Sequence, residues 1–148
     1  MMKLIFSSAM ANRMITSMTK LVHVAVGVIE NAAQQILLAK RHAHLHQGDK
    51  WEFPGGKVES GESTSQALIR ELKEEVDLNV ATTTPMMQIH HDYGDKKVML
   101  DIHWVKDFSG TAQGLEGQAV KWVAKQDLVN FEFPAANKAI VDKILATI

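Results

Sequence analysis

Gly56 to Leu78 reads GKVESGESTSQALIRELKEEVDL, and the reading of this stretch decides the fold. Its middle is periodic. Leu68, Ile69, Leu72 and Val76 recur at the spacing of one helix face. A helix is therefore predicted over Ser63 to Val76, with Ser60 or Ser63 as its cap. At about 100° per residue, Glu71, Glu74 and Glu75 fall within one narrow arc beside that stripe. Like charges so placed repel one another, and unpaired charges at the edge of a core are costly. Two readings follow. Acidic runs on helices are usually solvated faces. Alternatively, a divalent cation joins the three carboxylates, since hard cations such as Mg²⁺ take oxygen ligands and share them with substrate phosphates.

Outward from this helix, Leu21 to Ile29 alternates, with Val22, Val24, Val26 and Val28 on one face, and is predicted to be a strand. Glu30 to Gln34 is a polar turn, and Gln35 to Lys40 is expected to return as the hairpin partner of the first strand. Met86 to Tyr93 and Lys97 to Phe108 form a predicted strand pair around Gly94-Asp95. Ser109 to Gln118 is a Gly-rich loop, Ala119 to Val123 a further strand, and Ala135 to Ala146 a closing helix. Helices and strands mixed in this way predict an α+β fold with a mixed β-sheet.

Composition narrows the function classes. The chain has 148 residues, 46% hydrophobic and 22% charged, which suits one domain with a real core. A net charge of −1 supplies no basic field for a nucleic acid polymer. There is no cysteine, which fits a reducing, cytoplasmic setting. No apolar run reaches the length of a membrane span. Residues 1–17 lack periodicity, and their apolar stretch is too short for a signal peptide. They are expected to be a disordered or loosely attached extension, with residues 18–148 as the single domain.

Gly56, Glu62, Arg70, Glu71, Leu72, Glu74, Glu75 and Leu78 also stand at the spacing of a Nudix box, so the chain resembles the Nudix hydrolase family. It departs where that box has its last glycine. Asp77 stands there, and Asp is one of the few other residues that tolerate a left-handed helix end. The resemblance implies an α/β/α sandwich and a Mg²⁺ cofactor for which Mn²⁺ substitutes. It implies metal binding by the Gly56 carbonyl and by Glu71, Glu74, Glu75 and Glu116. Glu71, or else Glu116, would take a proton from water; Arg70 would orient Glu71; and Glu62 would support the site from outside.

The resemblance continues through AVGVIE, KWEFPGGKVESGE, LEGQ and FPAANKAIVDKI, and narrows to the branch of the family that hydrolyses 8-oxo-dGTP. It then implies cleavage to 8-oxo-dGMP and pyrophosphate, which keeps an oxidised nucleotide out of DNA replication. Arg41 and His46 in the loop KRHAHLHQGDK become substrate-binding candidates. A guanidinium such as that of Arg41 forks onto two phosphate oxygens. Alternating histidines in that loop leave a transition-metal chelate as the other reading. Phe53 would pack near the nucleobase, and Lys96 stands where the branch has an arginine beside the base. Asn137, just inside the last helix, would meet the oxidised purine, because an amide offers donor and acceptor together. The expected partner is a small-molecule nucleotide, with no nucleic acid polymer and no membrane, and the protein is expected to be a monomer. The alternatives are hydrolysis of another nucleoside diphosphate derivative, such as ADP-ribose, or a catalytically silent nucleotide-binding module.

Overall fold

The computed structural model describes residues 20–45 and 48–148. The expectations for residues 1–17 and for His46 lie outside that range. The element order is β1 (Lys20–Ile29), β2 (Gln35–Lys40), β3 (Trp51–Glu52), β4 (Gly55–Lys57), α1 (Thr64–Val76), β5 (Asn79–Asp92), β6 (Lys96–Ser109), β7 (Val120–Ala124), two short 3₁₀ turns (Lys125–Asn130 and Ala135–Asn137) and α2 (Lys138–Leu145). Among the described residues, no helix is long and apolar enough to cross a membrane.

β1 is the spine. It pairs antiparallel with β4 and parallel with β6, and β6 pairs antiparallel with β5, giving a mixed sheet in the order β4-β1-β6-β5. Alternate side chains of a strand point to opposite faces, and both faces of β1 are covered over residues 25–29. Val26 and Val28 enter a cluster with Ile140, Val141 and Ile144 of α2. Ala25 and Ile29 enter another with Ala67, Leu68, Leu72 and Val76 of α1. The two helices therefore lie on opposite faces of the sheet, in the expected α/β/α layering. The strand was legible because its valines alternate; its other face is also buried because the parallel neighbour β6 leaves both sides to helices.

Three local expectations need correction. β2 is not the hairpin partner of β1. It pairs with β3 and β7 in a second sheet, ordered β3-β2-β7, and keeps only an isolated bridge between Glu30 and Ile36 to the end of β1. Ile36, Leu37 and Leu38 are all fully buried, which a strand in a two-sheet core can satisfy and a one-faced hairpin arm cannot. β5 begins at Asn79, not Met86. Its polar Thr82-Thr83-Thr84-Pro85 run carries register shifts against β6, and Pro85 sits at one of them, where a missing ladder donor is tolerated. The closing helix starts as a 3₁₀ turn, so Asn137 occupies the N-cap position of α2 although its side chain caps nothing.

α1 is defined at both ends. Ser63 Oγ accepts from the Gln66 amide (3.1 Å), and Gln66 Oε1 accepts from the Ser63 amide (2.8 Å), a reciprocal capping box. At the other end Asp77 takes the left-handed conformation (φ 61°, ψ 36°), and the Leu78 amide returns to the Leu72 carbonyl (3.1 Å).

Candidate active site

A helix leaves its last carbonyls without intrahelical partners, and here the Gly-rich loop supplies them. The amides of Gln113 and Leu115 donate to the Val76 and Glu75 carbonyls (2.9 and 3.0 Å). The Gln118 side chain also donates to the Glu75 carbonyl (3.2 Å). This brings Glu116, distant in sequence, to the C-terminal end of α1. On the other side, β4 runs beside β1 and presents Gly56 to the helix. A Cβ placed on Gly56 would land on the Glu71 carboxylate and displace it from its place beside Arg70, so glycine keeps this approach open.

Arg70 organises one half of the carboxylates. Its Nε and Nη2 donate to Glu62 Oε2 and Oε1 (2.7 and 2.9 Å). Its Nη1 donates to Glu71 Oε1 (2.8 Å) and, more loosely, to Glu74 Oε1 (3.4 Å). Nη2 also reaches the Lys57 carbonyl (3.1 Å). The bidentate Arg70 contact, helped by the Glu59 amide, pulls the Glu62 carboxyl down to about 2. Glu62 thus holds Arg70, and Arg70 holds Glu71.

Glu75 belongs to the other half and is electrostatically the least comfortable group. Burial raises its pKa to about 8, and the charges of Glu52, Glu116 and Glu71 push the same way, against an N–H from Gly55. Glu52 is the residue that sequence reading missed. It lies in β3 between Trp51 and Phe53, accepts from Arg41 Nη1 (2.6 Å), and has its own pKa raised by burial, with Arg41 opposing. The available signal was one carboxylate set between two apolar aromatics in a strand.

Arg41, Glu52, Phe53, Gly56, Lys96 and Asn137 line one cleft of about 710 Å³, together with Tyr93 and the valines of β1. Every described substrate-binding candidate is therefore gathered in one place, of a volume ordinary for a small-molecule site. Phe53 is buried and stacks on Phe133 (5.3 Å between centroids). Lys96 extends over the Tyr93 ring (5.9 Å). His42 and His44 stack on each other (5.6 Å).

The donor set suits a hard cation: several carboxylates near the Gly56 backbone, one of them raised by burial and then by its like-charged neighbours. They are not drawn into a closed cage. Among the described residues no three His, Asp or Glu side chains are grouped to hold a metal ion. Glu74 is the outlier: its side chain is 60% exposed and leans on Arg70.

The sequence profile of the NUDIX domain matches residues 25–143. The 8-oxo-dGTP diphosphatase of Escherichia coli (strain K12) is 34% identical over 84% of this chain and 97% of its own length. The CTP pyrophosphohydrolase of the same organism is 33% identical over 86% of this chain and 93% of its own. Among solved structures, a MutT from a study of the Aliivibrio salmonicida and Vibrio cholerae proteins superimposes with a TM-score of 0.78 at 40% identity, covering 87% of this chain and all of that one. With the profile spanning most of the chain and the box residues set around α1 and β4, the chain belongs to the NUDIX domain family.

Proposed function

We propose that the protein is a Mg²⁺-dependent pyrophosphohydrolase that converts 8-oxo-dGTP to 8-oxo-dGMP and pyrophosphate, acting on the nucleotide pool of the cytoplasm as a monomer. The observation that carries the reading is the cleft in which Arg41, Phe53, Lys96 and Asn137 stand with Gly56, against whose backbone the Glu71 carboxylate of α1 packs. Arg41, already oriented by Glu52, binds the polyphosphate. Phe53 and the strand valines pack on the base, and Asn137 reads its edge. The Gly56 carbonyl, Glu71, Glu74, Glu75 and Glu116 would hold the cation. When bound, the cation neutralises phosphate charge and lowers the pKa of a coordinated water. Glu71, fixed through Oε1 by Arg70, accepts the proton of the attacking water. The reaction is hydrolysis at phosphorus, β by the family resemblance, and the residues contribute position and charge complementarity.

The comparable similarity to a CTP pyrophosphohydrolase makes CTP the necessary rival substrate. The test is pyrophosphate release from 8-oxo-dGTP, dGTP, CTP and ADP-ribose side by side, with and without Mg²⁺. The highest kcat/KM is expected for 8-oxo-dGTP, with activity lost in chelator. A preference for CTP would overturn the substrate assignment, and ADP-ribose cleavage as the main activity would overturn the triphosphate class.

A further inference from the structure

The Gly-rich loop carries Glu116 on an exposed segment with no helix or strand of its own. Something must fix it if Glu116 is to act at α1. Gln118 makes two hydrogen bonds of opposite sense. Its Nε2 donates to the Glu75 carbonyl (3.2 Å), and its Oε1 accepts from the Glu116 backbone amide (2.9 Å). The first bond adds a second donor to the Glu75 carbonyl, which already accepts from the Leu115 amide (3.0 Å); the second turns the loop toward the helix end. Gly117 closes the turn between them at φ 82°, a conformation that a side chain would strain, and its amide returns to the Gly114 carbonyl (3.1 Å). Only a side chain with donor and acceptor on one rigid plane can bridge both groups at once. A carboxylate there could accept but not donate, and a hydroxyl is too short to span them.

We propose that Gln118 is a positioning residue: its amide clamps the Glu116 segment to the C-terminal end of α1 and so presents the Glu116 carboxylate to the carboxylate cluster. It does not touch the substrate, and its effect passes through Glu116. This rests on the functional reading above for its kinetic consequence, while the clamp itself does not. Groups that orient ligands from behind typically matter by about 10- to 100-fold in metal affinity or activity.

The test uses Gln118→Met, which keeps length and removes both bonds, with Gln118→Ala as a second variant. In chelator-treated protein, the Glu116 amide should exchange faster in either variant while the amides of α1 keep their protection and the melting temperature stays near that of the parent. With Mg²⁺, kcat should fall and the Mg²⁺ concentration for half activation should rise, each by about tenfold or more, with KM for the nucleotide changed little. In a Glu116→Gln background, Gln118→Met should cost almost nothing further, since the clamp would have no carboxylate left to place. Unchanged exchange at Glu116, or an undiminished cost of Gln118→Met in that background, would overturn the proposal. If the parent hydrolyses none of the nucleotides, the functional reading fails, and the exchange measurement alone still decides whether the clamp exists.

Discussion

Glu75 carries an electrostatic burden in the fold. Its folded pKa, about 8, lies above the ordinary value of 4.5, so folding disfavours its charged form. The sign follows from linkage: below pH 4.5 the group is protonated in both states and nothing is lost, whereas stability falls as pH rises through the interval to about 8. A shift of that size corresponds to at most about 5 kcal/mol, and solvent reaching the half-buried carboxylate trims it. Glu75→Gln is therefore expected to stabilise the chelator-treated protein at pH 8.5 by about 1–3 kcal/mol, with little change at pH 4. Urea unfolding at the two pH values checks it; equal effects at both would show that the charge is not what burdens the fold. Glu71→Gln should act differently. It keeps the size of the side chain and removes a charge held by Arg70 against Gly56, and the expected loss in kcat is on the order of a hundredfold. Near-parental turnover in a folded variant would remove Glu71 from the chemistry. The Glu71, Glu74 and Glu75 arc was legible because helix geometry alone puts those residues on one face. Glu52 and Gln118 were not, because neither matters until the fold brings Glu52 beside Arg41 and Gln118 beside the end of α1.

Elements were legible where a periodic pattern is local in sequence, and their pairing less so where two sheets share the core. α1 announced itself through its stripe and its Ser63 cap, since both are local in sequence. The partner of β2 was misread because hairpin proximity is only a prior, and burial of four consecutive residues in β2, 36–39, demands cover on both sides. The length of β5 was hidden by threonines and Pro85, which break the alternation while the strand continues through its register shifts. The helix end is a sharper case. Asp77 holds φ 61° where the family's box has glycine, and Lys73 Nζ meets its carboxylate (2.7 Å). The pair is solvent-exposed, and Lys ahead of Asp is the weaker orientation on a helix, so it offsets only part of the left-handed strain. Stability should rank Asp77→Gly above the parent and the parent above Asp77→Ala. The glycine gain should be below about 1 kcal/mol, and the alanine loss about 1 kcal/mol. Chemical denaturation in low and high salt tests this; a destabilised Asp77→Gly protein would mean that the carboxylate does more at the helix end than pair with Lys73.

At the scale of the whole molecule, the cleft is a product of topology. It is walled by β1, by Arg41 after β2, by β3 and β4, by the tip between β5 and β6 with the start of β6, and by the turn before α2, so residues from five separate stretches meet in it. Sequence alone placed Asn137 in that company only by resemblance. The fold adds that the residue ends a 3₁₀ turn and leaves its amide unused as a helix cap. Pro134 opens the turn, and the Asn137 amide N–H returns to the Pro134 carbonyl (2.9 Å), which fixes the backbone from which the side chain projects. A side chain so mounted can discriminate. In 8-oxo-dGTP the N7 position is a donor beside a new C8 carbonyl, whereas in dGTP N7 is an acceptor. An amide set to match one pattern leaves a polar group unmatched against the other, at about 1–3 kcal/mol for each such group. Asn137→Ala should therefore reduce kcat/KM for 8-oxo-dGTP by about tenfold or more beyond its effect on dGTP, mainly through KM, with the Mg²⁺ requirement intact. Steady-state kinetics on both substrates measure the ratio. If the variant discriminates between them as the parent does, Asn137 is a structural residue of the turn, and recognition of the oxidised base must come from the apolar walls of the cleft.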